Sequence, residues 1–564
     1  MLIFQPDGVS YINREGESVL KSAQNAEVFC ENICGGRGIC GKCRVKVEIG
    51  EFNPVTKEEK EYFTKEEIKA GYRLACCLYP KFWFKTCEVL LNTVKEEKEF
   101  LLEMEGEGIE LFRQKSIEYG WNLKNRETKK YGMAVDIGTT NIEAVFWNMD
   151  NGDCIVRVLQ PNPQQKYGAD VVSRIAYAME GKNNFEELCT VLRDTISNMA
   201  NNFLNKMKDS ADEDVLEKMV VAGNAAMMHF FAKEDVSGFA KAPYLSSYKE
   251  GRCENGDTLR LKGVKVLLLP NIESFVGADT VGVMVYLNKM YQVENIDAKN
   301  LNILIIDIGT NGELILQTNG QCYVSSTSAG PAFEGATMVY GMRAEPGAIT
   351  GISFDKEGYT LQVIGEKRPK GICGSGFIEI VAKLYEIGVI EETGYLLTKQ
   401  EAKEKGLSDI FVNCLRESKY GTAFELYRDN QGEVLLTQKD IRELQLAKGA
   451  IVAGVNTMLK KCNLNPEDVD KCYLAGAFGT YLNGECAKLI GLLPNILTEN
   501  IIPVGNGALL GACQVLMEKE EFELSKYFAT KSKHISLSEE EGFREEYIKG
   551  MNFEKQIKSN YLKL

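Results

Sequence analysis

The chain has 564 residues, 44% of them hydrophobic and 26% charged, which is ordinary for a soluble globular protein and enough for three or four domains. A net charge of −14 argues against nucleic acid as a partner, because phosphate backbones need a basic face. No apolar run reaches spanning length, and the start Met1-Leu2-Ile3-Phe4-Gln5-Pro6-Asp7 lacks the basic head and apolar core of a signal peptide, so the expectation is a cytoplasmic protein with no membrane part.

Residues 1–93 read as a small β-rich unit. Short strands are expected at Leu2–Phe4 and near Val9–Ile12, then a helix over 18–26, a strand at 45–49, a charged helical stretch over 57–69, and closing strands near Leu74 and at 87–91. This order fits the β-grasp fold of ferredoxins. Between the first helix and the third strand lies Cys34-Gly-Gly-Arg-Gly-Ile-Cys40-Gly-Lys-Cys43, three thiols among four glycines. Thiolates are the soft ligands that iron–sulfur clusters need, and glycines let the backbone bend around the cluster. The gaps of five and then two residues are one longer, in the first gap, than the plant-type pattern. A fourth thiol is offered by Tyr72-Arg73-Leu74-Ala75-Cys76-Cys77, with Cys76 the nominated ligand and Cys77 its alternative, since neighbours in a strand point to opposite faces. Zinc is the competing reading of paired cysteines. Only one close pair is present, however, and the two histidines, His229 and His534, lie far along the chain. Seventeen cysteines without an export signal indicate a reducing compartment, and an exposed cluster suits an anaerobic host.

Residues 94–130 are charged at their start (Lys95-Glu-Glu-Lys-Glu99) and are read as a solvated linker holding a helix or two. After Lys130 comes Met133-Ala-Val-Asp136-Ile-Gly138-Thr139-Thr140-Asn141, an apolar strand ending in a polar turn and followed by a second strand. The design returns at Ile303-Leu-Ile-Ile-Asp307-Ile-Gly309-Thr310-Asn311. Two copies predict a duplicated fold, with one half over 131–300 and the other over 301–564. In each turn a strand delivers an aspartate that can hold magnesium through water. The following glycine and hydroxyl or amide residues then offer donors to phosphate. Tight hairpins with self-satisfied aspartates are the plainer explanation of either turn alone. A third element, Tyr473-Leu-Ala-Gly476-Ala-Phe-Gly479-Thr480, offers two glycines past which an adenosine ring could approach the backbone. No Walker-type loop is present.

Together these elements resemble the superfamily of acetate and sugar kinases, heat-shock chaperones and actin. The set CGGRGICGKC, YRLAC, AVDIGTTN, NPQQKYGADVVSRI, IIDIGTNGE, SAGPAFEGA, GICGSGFIE, YLAGAFGTYL and PVGNGALLGA is similar to that of reductive activators of corrinoid proteins, over nearly the whole chain. The resemblance implies a multidomain α/β and α+β protein: a [2Fe–2S] β-grasp domain, a linker, and an actin-like ATPase with two facing halves. It implies an ATP-dependent reductase that returns cobalt(II) to cobalt(I) in the corrinoid-binding protein of a methyltransferase system, served by an upstream electron donor, and it admits a homodimer. Cys34, Cys40, Cys43 and Cys76 would hold the cluster, and Asp136 and Asp307 would organise Mg2+. Gly138, Thr139, Thr140, Asn141, Gly309, Thr310 and Asn311 would bind the phosphates of ATP, with Gly476 and Gly479 beside its adenosine. The rival expectations are a small-molecule kinase with a redox domain, a nucleotide-binding redox-sensing scaffold, and an activator of another low-potential enzyme similar to the dehydratase activators.

Overall fold

The computed structural model describes the chain except residues 6–7, 27, 29, 31–35, 39–40, 83–84, 92–100, 104–106, 120, 122–129, 169, 208–214, 243, 310, 336, 356–357, 477–478, 480–481 and 554–564. Two compact units are formed, one from Met1–Val285 with Leu509–Lys526, the other from Tyr286–Ala508 with Tyr527–Leu564.

The first 91 residues build a five-stranded mixed sheet. Its strands are β1 (Leu2–Gln5), β2 (Val9–Tyr11), β3 (Arg44–Ile49), β4 (Tyr72–Leu74) and β5 (Cys87–Leu91), in the order β2-β1-β5-β3-β4. β1 and β5 run parallel while the other pairs are antiparallel, as a β-grasp sheet requires. Helix α1 (Val19–Asn25) starts on Ser18, whose side chain accepts the Lys21 N–H, and buries Val19, Leu20 and Ala23 against the sheet. Helix α2 (Lys57–Tyr62) begins with a capping box between Thr56 and Glu59. Glu59 is fully buried and takes a two-point ion pair from Arg73, at 2.8 and 2.9 Å, together with the Leu74 N–H at 3.0 Å. One carboxylate thereby ties α2 to β4, just ahead of Cys76.

The described residues between 101 and 121, 101–103, 107–119 and Trp121, are not a solvated spacer. Strand β6 (Leu101–Glu103) joins the edge of the next sheet against Cys154–Pro161, and helix α3 (Glu107–Glu118) packs behind it. Ile109, Phe112, Ser116 and Tyr119 recur every three or four residues and are all buried, so the helix has one inward stripe. Trp121 is buried beyond its end, donating from Nε1 to Gln514 Oε1 at 2.8 Å and meeting Trp147 edge to face.

The seven-stranded sheet of the first unit is ordered β11 (Arg252–Asn255), β12 (Lys265–Leu268), β10 (Val215–Gly223), β7 (Lys130–Ile137), β8 (Asn141–Asn148), β9 (Cys154–Pro161), β6. Met133, Ala134, Val135 and Ile137 are wholly buried, the mark of a central strand covered on both faces. The second unit repeats the scheme. Strands β13 (Ile303–Ile308), β14 (Gly312–Thr318) and β15 (Gln321–Thr327) form an antiparallel meander, and β16 (Lys471–Ala475) and then β17 (Ile501–Gly505) lie parallel beyond β13. Each aspartate occupies the same register in its own sheet. Asp136 pairs with Glu143 and Ala222, and Asp307 pairs with Glu313 and Ala475.

The first unit also takes in residues 509–526, which the sequence reading placed wholly in the second half. Most of helix α7 (Gly507–Met517) lies there. Gly511 has no room for a Cβ, which would fall 1.9 Å from the Gly282 carbonyl, and Lys218 Nζ donates to the Val515 and Leu516 carbonyls at 2.9 and 2.8 Å.

Substituting Glu59→Gln leaves Arg73 as a buried cation with half its partner removed. The expected loss is about 3–5 kcal/mol from the N-terminal domain, read as an earlier unfolding transition in a thermal scan.

Candidate functional site

The thiol end of the molecule is built where β4 passes the start of β3. Ala75 N donates to the Cys43 carbonyl at 2.7 Å, which brings Cys43 and Cys76 side by side. Their sulfurs are 3.3 Å apart and both residues are buried. Contact with Cys43 and burial hold the Cys76 thiol far above its ordinary pKa, so two bare thiolates are unfavourable at this spot. A bound iron would supply the missing positive charge, and the donor set fits one. Cys77 sits differently: its sulfur is 3.7 Å from that of Cys76 and turned toward Gly38, where a Cβ would lie 3.2 Å from it. Gly41, at φ +69°, is pressed on the Tyr62 ring so closely that a Cβ would lie 2.3 Å from it. Any larger residue would push the loop off α2. Cys34 and Cys40 lie outside the described residues.

The first polar turn, Gly138-Thr139-Thr140, is held from behind. Asn162 Nδ2 donates to the Gly138 carbonyl at 2.8 Å, Arg174 Nη2 to the Thr139 carbonyl at 2.6 Å, and Gln165 Nε2 with the Asn162 N–H to the Thr140 carbonyl. In a planar trans peptide the N–H points opposite to its C=O. With these carbonyls fixed backward, the N–H groups of Thr139 and Thr140 point forward, as an anion-binding turn requires. Asn224 adds a fourth hold, donating from Nδ2 to Thr139 Oγ1 at 2.9 Å. Arg174 is wholly buried on helix α4 (Val171–Met179) and is further bound by Gly168 O and Gln164 Oε1. Asp136, Gly138, Thr140 and Asn141 are half-buried beside this frame.

None of Asn162, Gln165, Arg174 or Asn224 was assigned a role from sequence. The first three lie in the NPQQKYGADVVSRI segment. Asn224 follows Ala222-Gly223 at the end of β10, as Ala477 follows Ala475-Gly476 at the end of β16, and this smaller internal repeat is the signal that would have found it. Asp279, near the start of helix α6 (Ala278–Val293), was also missed; its signal is a lone carboxylate opening an otherwise mostly apolar helix. Asn224 precedes helix α5 (Ala225–Ala232) and caps it through the Met227 N–H. A Cβ placed on Gly277 would lie 2.4 Å from Ala225 N, 2.7 Å from the Asn224 carbonyl carbon and 2.8 Å from Asp279 Oδ1. The Asp279 carboxylate therefore flanks the same point as Asn224, which holds Thr139. Burial raises its pKa to about 6 against the opposing Thr280 N–H donation.

The second turn is packed closely by a neighbouring strand end. Gly309 N donates to the Asn311 carbonyl at 2.9 Å, and Thr310 lies outside the described residues. Gly476, at φ +87°, comes so near that a Cβ would lie 2.6 Å from Asp307 Oδ1 and 2.9 Å from the Ile308 carbonyl. Gly479 packs in the same way on Leu474, at 3.1 Å. The sequence reading left these glycines bare for an adenosine ring. The absence of side chains also lets the backbone pack closely within the protein at both positions, the first of them directly on the Asp307 carboxylate. Among the described residues no helix is long and apolar enough to cross a membrane.

Residues 301–563 match the model described as the C-terminal domain of RACo, the ASKHA domain, residues 131–292 match the RACo middle region, and residues 3–81 match the 2Fe-2S iron-sulfur cluster binding domain. The corrinoid activation enzyme RamQ of Eubacterium limosum is 31% identical over 433 residues, 76% of this chain and 71% of that protein. A [Co(II) methylated amine-specific corrinoid protein] reductase of Methanosarcina barkeri is 23% identical over 461 residues, 74% of this chain and 76% of its own length. The solved structure of a reductive activator for corrinoid, iron–sulfur protein superposes with a TM-score of 0.65 at 26% identity, covering 98% of each chain. With the three matched models covering its ferredoxin sheet and both halves that carry the repeated turn, the chain belongs to the family of reductive activators of corrinoid proteins.

Proposed function

We propose that this protein reduces the cobalt(II) of a corrinoid-binding methyltransferase component to cobalt(I) at the expense of ATP. The observation that carries the reading is the joining, in one chain, of the Cys43–Cys76 thiol pair to a twice-repeated phosphate turn. Cys34, Cys40, Cys43 and Cys76 are assigned as cluster ligands, and when bound the cluster supplies one electron at low potential. Asp136 and Asp307 are assigned to magnesium. Gly138, Thr139, Thr140, Asn141, Gly309, Thr310 and Asn311 are assigned to phosphate oxygens, and Gly476 and Gly479 to the neighbourhood of the adenosine.

Plant-type clusters sit near about −400 mV. Each ~59 mV by which the cobalt couple lies lower is a tenfold penalty for a one-electron step. ATP supplies the bias by favouring one conformation of the activator over another. Asp279 is assigned as the base for hydrolysis. It receives a proton from the attacking water, whose oxygen bonds to the γ-phosphorus as the bridging oxygen leaves with its electron pair on ADP.

Mixing the protein, a reductant and a cobalt(II) corrinoid protein from its own methyltransferase system should give a cobalt(I) absorption spectrum that requires ATP. A cobalt(I) signal indifferent to ATP, or none, refutes the proposal. Cys76→Ser should abolish the visible absorption of the cluster, whereas Cys77→Ser should keep it; the reverse result moves the fourth ligand to Cys77. Asp279→Asn should lower the kcat of ATP hydrolysis by about 10²–10⁴-fold while leaving the affinity for a non-hydrolysable analogue within about threefold, and Asp279→Glu should restore part of the rate.

A further inference from the structure

The segment that braces the first phosphate turn also carries the ferredoxin domain. Its inner side, Asn162, Gln165 and Arg174, holds the three turn carbonyls. Its outer side meets helix α1. Gln24 Nε2 donates to the Lys166 carbonyl, and Lys21 Nζ lies 5.2 Å from the centre of the Tyr177 ring. That ring is not a loose surface side chain. Tyr167 and Tyr177 stack at 4.9 Å, and their hydroxyls both donate to Glu187, each at 2.8 Å. Gln164, buried between the two sides, donates to Leu188 O and accepts from Arg174. The outer aromatic pair and the inner guanidinium are thus parts of one hydrogen-bonded body.

Helix α1 reaches the thiol end equally directly. Leu20 N donates to the carbonyl of Ala75, the residue before Cys76, at 3.0 Å. The Leu20 side chain lies 3.5 Å from where a Cβ on Gly36 of the cysteine loop would be. One short helix therefore touches the cysteine loop at one end and the brace of the phosphate turn at the other.

We propose that residues 162–177 are the seat of the ferredoxin domain, gripped by Lys21 and Gln24, and that sharing this seat with the phosphate turn links the hold on the domain to the nucleotide bound there. The linkage rests on the nucleotide reading above. Because binding free energies are reciprocal, nucleotide must tighten or loosen the seat by the same factor by which the seated domain alters nucleotide affinity. A contact of this kind, one cation over a ring plus one hydrogen bond, is worth about fivefold or more, and a linkage that transmits part of it changes affinity by about threefold.

The test is hydrogen exchange on the full-length, cluster-loaded protein with and without a non-hydrolysable ATP analogue and magnesium. The expected result is altered exchange at residues 19–25 together with protection at residues 136–141. In the double variant Lys21→Ala, Gln24→Ala the effect at 19–25 should vanish, exchange over 162–177 should rise even without nucleotide, and analogue affinity should shift by about threefold with the cluster absorption intact. Protection at 136–141 with residues 19–25 unchanged overturns the linkage. No protection at 136–141 removes the nucleotide reading, and the linkage with it. In that event the variant's exchange over 162–177 still decides the seat: a rise upholds it and no change overturns it.

Discussion

A peptide can offer its N–H to a ligand only if its own carbonyl is satisfied on the opposite side, and the first polar turn is arranged around that constraint. Three consecutive carbonyls, those of Gly138, Thr139 and Thr140, are taken by Asn162, Arg174 and Gln165, so the donors of the turn are aimed before any ligand arrives. Orientation fixed in advance is what makes hydrogen bonds to phosphate effective, because little ordering remains to be done on binding. The Arg174 guanidinium is wholly buried in this role, and its hydrogen bonds to backbone and amide oxygens are what make that burial tolerable.

The two copies of the turn share a register, and the contacts described behind each come from different segments. In the first, side chains from the 162–174 segment do the holding. In the second, the end of a neighbouring strand does it, by presenting a glycine so close to Asp307 that no side chain could intervene. The shared part, a meander with parallel strands added beyond its first strand, is what the repeated sheet dictates. The differing part lies in the segments that follow it, where the halves were free to diverge.

Much of the fold was legible because it is written in local pattern. Alternation and apolar runs located the strands of the ferredoxin sheet and both hairpins, and the cysteine spacing pointed to the thiol pair. Contacts between distant segments were not legible. The charges at 95–99 drew attention from Ile109, Phe112 and Tyr119, whose helical spacing becomes meaningful only once there is a sheet edge to cover. Asn224 matters because β10 ends near Thr139, and Asp279 because α6 starts beside Asn224, which no spacing along the chain reveals. Choosing between Cys76 and Cys77 turns on the direction of two adjacent side chains, which put the Cys76 sulfur against Cys43 and the Cys77 sulfur toward Gly38.

The return of residues 509–526 to the first unit has a consequence for how the protein is made. Trp121 finds its partner in Gln514, and Lys218 finds the carbonyls of Val515 and Leu516, nearly four hundred and three hundred residues later in the chain. On the ribosome the ferredoxin sheet can close as soon as its last strand emerges, but the seven-stranded sheet of the same unit must wait for Gln514, Val515 and Leu516 until nine-tenths of the chain has been translated. The part that carries the thiols is therefore ready for its iron well before the part that is to hold nucleotide is complete, so assembly of the cluster can precede the first turnover of ATP.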